Sequence, residues 1–405
     1  MLESNKLFFL FVSLTFLFHL IALSQEDLAV QGNLLYKRLR PSKSAVREGN
    51  RTEYPYYATI PALDDFEEYA GIRPKAFEPW TRPIPCYPSE PFWYRPQTQQ
   101  TAAGRGIVYN KLFKTGSSTA SGVSIRIARN LARRNNHTTE VCRNRFFHWP
   151  ANELFPQGRK PRQTFLWTTV RDPTRRILSQ IFFFMETRRG LSLNDTDVLK
   201  HVSSGGNGWT YNQYMARLPL QSPEKLSNET DMPALAQSIF DDYDFVGISE
   251  RLDESLVALS MLMNLPLGDV LYLSTKDEYA LSADNRQCTK VAKARVPDIV
   301  KEYMLTDDWQ QKIYWDHAVF VLANRSLDLT IDRLGRTAFE DKLETFRKMQ
   351  EEGKARCADY VPCATATRRY TDCVVADTGC GNECLDGVVR DLAPRQNATG
   401  RMHVR

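Results

Sequence analysis

The stretch that decides the fold is "GIVYNKLFKTGSSTASG", residues 106–122. Gly106 to Lys111 reads as a short buried strand, and Lys114-Thr-Gly-Ser-Ser-Thr119 as a loop of glycine and hydroxyl residues. Beyond it Val123, Ile127 and Leu131 recur at four-residue spacing, the apolar stripe of a helix. Strand, glycine loop and helix N-terminus together make an anion site. Gly116 lets the backbone approach a ligand, and the N–H groups of the first helical turn face it with the positive end of the macrodipole. Ser117, Ser118 and Thr119 add hydroxyl donors. The same hydroxyls also suit a plain helix cap, so two readings stay open. Lys114 precedes the glycine, whereas a nucleoside triphosphatase loop carries Gly-x4-Gly-Lys-Ser/Thr, a pattern absent from the chain.

A second segment favours the anion reading. Thr164-Phe-Leu-Trp-Thr-Thr-Val170 is a buried-strand run, followed at once by Arg171-Asp-Pro-Thr-Arg-Arg-Ile-Leu-Ser179. Asp172 is a good N-cap and Pro173 suits the first helical position. Ser179 then falls about two turns along, on the face of the cap. Arg171 and Ser179 can therefore address one phosphate at the carboxyl edge of a parallel sheet, where the first loop also opens and where such sheets bind ligands. An arginine paired only with Asp172 or another acid would explain Arg171 but not its coupling to the first loop.

Working outward, strand-like runs at Gly106 to Lys111, Thr164 to Val170, Phe245 to Ile248 and Val270 to Leu273 alternate with helical ones. The helices are predicted over Ser118 to Arg134, Pro173 to Arg189, Leu252 to Met263 and Trp309 to Leu334. This is the pattern of an α/β fold, a parallel sheet flanked by helices. The organisation expected is an N-terminal signal anchor or signal peptide (1–24), a proline-rich stem with local ordered contacts (25–100), a main α/β domain (101–345) and a cysteine-rich extension (346–405). The anchor is the apolar run Leu7 to Leu23, with Lys6 before it and Glu26 and Asp27 after it. Either form places the rest of the chain in the secretory lumen. Six Asn-X-Ser/Thr sequons, at Asn50, Asn136, Asn194, Asn228, Asn324 and Asn397, agree with that. So do eight cysteines, five of them between Cys357 and Cys384, for which disulfides are expected ahead of a zinc site because no Cys-x2-Cys pair occurs. The net charge of +5, from 53 basic against 48 acidic residues, is too balanced for a nucleic-acid-binding surface over the whole chain.

These motifs resemble the sulfotransferases that use 3′-phosphoadenosine 5′-phosphosulfate, most of all the Golgi galactose 3-O-sulfotransferases, with similarity also to the heparan sulfate 2-O-sulfotransferases. In that family a Lys-Thr-Gly-Ser loop, matched by Lys114, Thr115, Gly116, Ser117, Ser118 and Thr119, holds the 5′-phosphosulfate. An arginine and a serine eight residues later, matched by Arg171 and Ser179, hold the 3′-phosphate. Two further stretches resemble the galactose enzymes, "DFVGISERLDESLVALSMLMNLPLGDVLYLSTK" from Asp244 and "DDWQQKIYWDHAVFVLANRSLD" from Asp307. The likeness covers about Arg105 to Phe346 and neither the stem nor the cysteine tail. It implies that 101–345 is a sulfotransferase catalytic domain of P-loop-like α/β fold, with type II Golgi membrane topology through the N-terminal anchor, 3′-phosphoadenosine 5′-phosphosulfate as co-substrate and a glycan acceptor; no metal is expected, because cationic side chains and backbone N–H groups take its place.

Sulfuryl transfer needs charge stabilised on the leaving side and a proton removed on the other. Lys114 is the natural partner for the leaving oxygen. His148, in "NRFFHWP", lies at about the interval before Arg171 at which the related families carry a histidine, and a base of near-neutral pKa suits a sugar hydroxyl. Packing among Phe146, Phe147 and Trp149 is the competing account of His148, and Glu153 and Glu140 are the next candidates. His317 is read as a core residue. Arg126, Arg129, Arg133 and Arg134, with Arg143 and Arg145, either line a cleft for acidic glycan or solvate a helix face. The aromatics of "GGNGWTYNQYM", Gly205 to Met215, either stack on sugar or fill the core.

Overall fold

The computed structural model describes residues 71–82, 106–136, 143–145, 150–155, 159–204, 211–221, 232–274, 276, 279–281, 288–360, 373 and 377–398. The N-terminal segment 1–24, most of the stretch read as a stem, Glu140 and His148 lie outside the described residues.

Three strands form where the apolar runs predict them: β1 (Gly106–Asn110), β3 (Thr164–Val170) and β4 (Phe245–Ile248). A short β2 (Arg143–Arg145), with no apolar run to announce it, joins them. All four pair in parallel in the order β2-β1-β3-β4. Every residue of β1, β3 and β4 is buried, as a parallel sheet with both faces covered requires. Register puts Tyr109 opposite Trp167 and Trp167 opposite Phe245, and the rings of Tyr109 and Trp167 lie 4.5 Å apart. Residues 71–82 add to this core: Ile72 and Phe77 are fully buried, with Phe77 edge-on to Phe245 and Trp80 edge-on to Phe165.

The helices are α1 (Ser117–Arg134), α2 (Ala151–Leu154), α3 (Pro173–Ile181), α4 (Asp195–Ser204), α5 (Gln213–Arg217), α6 (Met232–Asp242), α7 (Leu252–Leu262), α8 (Asp298–Met304), α9 (Asp307–Leu334), α10 (Arg336–Arg356) and α11 (Asn382–Ala398). Two short strands, β5 (Tyr279–Leu281) and β6 (Cys288–Lys290), pair antiparallel apart from this sheet. Two expectations differ from this. The helix predicted from Pro173 to Arg189 is α-helical only to Ile181 and continues as a π-helical segment, Phe182–Arg188. That wider turn buries Phe182 and Phe183 and sets Phe184 against Phe113. The strand predicted at Val270 to Leu273 is absent, because the backbone of Tyr272 is satisfied by a side chain. Its N–H donates to Gln350 of α10 at 3.2 Å, and the Gln350 amide donates back to its carbonyl at 2.5 Å.

The cysteine-rich tail is welded to α1. Cys357–Cys384 ties the end of α10 to α11, and Cys373–Cys380 closes a small loop ahead of α11. Asp386 of α11 accepts ion pairs from Arg126 at 2.8 Å, Arg129 at 2.7 Å and Arg133 at 3.1 Å, while Arg134 pairs with Asp269 at 2.5 Å. Arg126 and Arg129 therefore clamp the tail, while Arg133 and Arg134, each ion-paired, also meet solvent. Gly122 of α1 touches Gly379 backbone to backbone, so a Cβ at Gly122 would stand 2.6 Å from the Gly379 Cα. Gly122→Ala should cost about 1–3 kcal/mol in urea denaturation through overpacking. In a helix free of the tail the same change would stabilise by about 1 kcal/mol, so the sign of the measured difference decides.

Candidate functional site

Strands β1 and β3 are neighbours, but the chain leaves β1 for β2 on one side and returns to β3 on the other. Loops that leave such a pair diverge and open a crevice at the carboxyl edge of the sheet. Lys114 to Gly116 and Arg171 to Asp172 stand on its two sides. Although 57 residues apart, they touch: the Arg171 guanidinium donates to the Lys114 carbonyl at 3.1 Å. Beneath them the Thr169 hydroxyl donates to the Thr115 carbonyl at 3.0 Å. That uses its only proton, so Tyr109 is the donor in the 2.7 Å bond between the two hydroxyls. Burial raises the Tyr109 pKa and keeps the phenol protonated for that bond.

Gly116 is the N-cap of α1, with φ 69° and ψ 12°, a left-handed conformation that glycine adopts without strain. A Cβ there would also lie 3.1 Å from the Ser249 hydroxyl at the end of β4. Because the cap residue has no side chain, Ser117, Ser118 and Thr119 lie within the first turn and do not cap it. No acidic residue enters that turn. The plain-cap reading of these hydroxyls lapses, and the first turn has no side-chain cap hydrogen bond at its N-terminus. Lys114 also has positive φ, 61°, and its ammonium group rests 3.7 Å from the centroid of the Phe183 ring in the π-helical segment.

On the other side Asp172 caps α3 as predicted, accepting the Arg175 N–H at 2.8 Å, with Pro173 in the first turn. Ser179 lies half-buried two turns further along α3. The Arg171 side chain meets Glu250 at 3.7 Å, so its acidic neighbour comes from the turn after β4. Burial raises the Glu250 pKa against the opposing pull of Arg171. The Arg171 backbone is held by Tyr214, whose hydroxyl receives its N–H at 2.9 Å and donates to its carbonyl at 2.5 Å. Tyr214 is itself fixed by Asp316 of α9, which accepts the Gln213 and Tyr214 N–H groups at 2.9 Å each and pairs with buried Arg176. Tyr214 is thus a core residue that orients Arg171. His317, next to Asp316, is buried beside Phe320, and burial lowers its pKa against the pull of Asp172.

Three site residues carried no sequence signal. Asp377, inside the Cys373–Cys380 loop, bonds Lys111 through Oδ2 and Lys276 through Oδ1, the latter at 2.8 Å. Lys276 also donates to the Ser118 hydroxyl at 3.1 Å. Nothing local links residues 101 and 266 positions from Asp377, so only the folded chain reveals the cluster. A separate cavity of about 460 Å³, lined by Lys75, Arg82, Arg159 and Asp244 among others, opens at the amino edge of the sheet and is remote from these loops. No protein-family model matches the chain, and no curated protein matches it.

Burial alone would raise the Asp377 pKa, but the Lys111 and Lys276 ammonium groups outweigh it and hold the carboxyl down at about 2. A carboxyl depressed on folding contributes stability that is fully present above its unfolded pKa, about 3.9, and is lost as pH falls through the folded value. Wild-type stability should therefore fall more steeply between about pH 4 and pH 2 than that of Asp377→Asn. Parallel denaturation curves over that interval would show that the carboxyl is not held low.

Proposed function

We propose that the chain is a sulfotransferase that moves the sulfuryl group of 3′-phosphoadenosine 5′-phosphosulfate to a hydroxyl of a glycan. One observation carries the reading: the lysine-glycine loop and the arginine segment, each a motif of that family, meet across the crevice between β1 and β3 through the 3.1 Å bond from Arg171 to Lys114. The side-chain-free N-cap at Gly116 fits an anionic group, since the first-turn N–H groups have no competing carboxylate in their own turn. The luminal features of the sequence and the family resemblance favour a glycan acceptor and a type II Golgi membrane location.

The co-substrate supplies an activated sulfuryl group and a phosphate leaving group. In this reading Thr115 to Thr119 hold its 5′ end, and Arg171 with Ser179 holds its 3′-phosphate. Lys114 leaves the face of Phe183 to neutralise charge growing on the leaving oxygen as the S–O bond to phosphate breaks. His148 takes the proton of the acceptor hydroxyl as the new S–O bond forms. Geometry is then the main contribution of the protein, as in phosphoryl transfer.

The test incubates the purified full chain with labelled donor and a panel of sugars, glycolipids and peptides. Label should appear on a glycan, and Lys114→Ala and Arg171→Ala should each lower turnover by about 100-fold or more. Transfer that survives both changes together sinks the assignment. Label on peptide tyrosine alone would redirect it to a protein sulfotransferase, and failure to bind adenosine 3′,5′-bisphosphate would leave a non-catalytic carbohydrate-binding protein. For His148→Ala the expected result is retained donor binding with turnover reduced by about 100-fold or more. Unchanged turnover would remove His148 from the mechanism.

A further inference from the structure

Two lysines among the described residues share an unusual backbone. Six non-glycine residues have φ between 50° and 64°, and four of these are asparagine or aspartate, which tolerate the left-handed region. The other two are Lys114, at 61°, and Lys276, at 64°. A long side chain held there marks a position fixed by its surroundings. For Lys276 those surroundings are identifiable. Asp377 takes one of its three ammonium protons and the Ser118 hydroxyl takes a second, which sets the charge against the first turn of α1. Lys111, the other partner of Asp377, is sealed in, with 3% of its side chain accessible, whereas Lys276 keeps 23%. The exposed charge of the cluster therefore lies with Lys276, beside the turn headed by Gly116.

We propose that Lys276 is a further anion-binding residue of this loop, facing the 5′ end of the donor, and that Asp377 is the positioning residue that places it. The proposal rests on the sulfotransferase reading above and extends it to the cysteine tail. Cys373–Cys380 closes the loop that carries Asp377, and Gly379 seats that loop on Gly122 of α1. The tail is in this way a structural part of the donor site. Both carboxylate oxygens of Asp377 face lysines, so the group acts as a fixed counter-ion beneath the site.

The experiment measures binding of adenosine 3′,5′-bisphosphate and of adenosine 3′-phosphate, which lacks the 5′ group, to the full chain by calorimetry. Lys276→Ala should weaken the bisphosphate by about tenfold or more, the size expected for one charge-assisted hydrogen bond, and leave the monophosphate unchanged. Lys276→Arg should recover part of the loss. Asp377→Asn should weaken the bisphosphate as well, and adding it to Lys276→Ala should cost nothing further, because one acts through the other. Should Asp377→Asn fail to fold, the Lys276 variants with the two ligands still decide the first claim, and Cys373→Ser/Cys380→Ser, which frees the loop, decides the second by the same loss of bisphosphate affinity. If wild type binds the bisphosphate, Lys114→Ala weakens it and Lys276→Ala does not, the inference fails while the functional reading stands. If wild type binds neither ligand, both fail. An affinity that rises in Asp377→Asn would show the carboxylate competing with the ligand and would overturn its positioning role.

Discussion

The parallel pairing of β1 with β3 is the constraint on which the rest depends. Five residue pairs, from Gly106 opposite Thr164 to Asn110 opposite Thr168, align the two strands so that their loops leave the sheet side by side. Inserting β3 next to β1, with β2 on the far side, makes this pair the switch point of the strand order, the place where open parallel sheets take their ligands. Tyr109 and Thr169 then lock the floor, because the hydroxyl relay ends on the Thr115 carbonyl and fixes the loop before any ligand arrives. A one-residue slip would send Tyr109 and Trp167 to the opposite face and undo the relay along with the core.

Above this floor the charged groups are arranged in buried pairs. Desolvation makes such pairs costly unless each charge is answered at close range, and removing one partner costs more than the pair contributes. Arg176 with Asp316 and Arg126 with Asp386 meet that condition, and so does Asp377 with its two lysines. The consequence for function is rigidity. Asp316 fixes Tyr214, Tyr214 fixes the Arg171 backbone, and the Arg171 side chain reaches Lys114. The two loops are in this way held in one fixed arrangement.

Local chemistry was readable wherever it acts over a few residues. The Asp172 cap, Pro173 in the first turn, the strand at Thr164–Val170 and the start of α1 within one residue of its expected place all follow from neighbouring side chains. The misreadings share one cause. The arginines of α1 resembled a ligand cleft or a wet surface because Asp386, more than 250 positions away, is invisible to any local pattern. The apolar run at Val270 to Leu273 resembled a strand because nothing in it reveals that Gln350 supplies its backbone partners. The π-helical turn after Ile181 likewise answers to the packing of Phe182, Phe183 and Phe184.

The stretch around "KTGSST", residues 106–131, by itself determined a strand, a turn through Gly116 and a helix N-terminus, since these depend on backbone freedom and hydrophobic period over neighbouring residues. Hydroxyls inside the first turn and hydroxyls capping it look the same in one dimension. Tertiary structure decided between them by placing the cap on Gly116, and it decided the company of the loop: Arg171 after β3, Ser249 after β4, and Lys276 held by Asp377 of the disulfide tail. The physical reason is that electrostatic and hydrogen-bond partners are selected by distance in space. Strand order and two disulfide-closed segments set those distances, and no local sequence pattern encodes them.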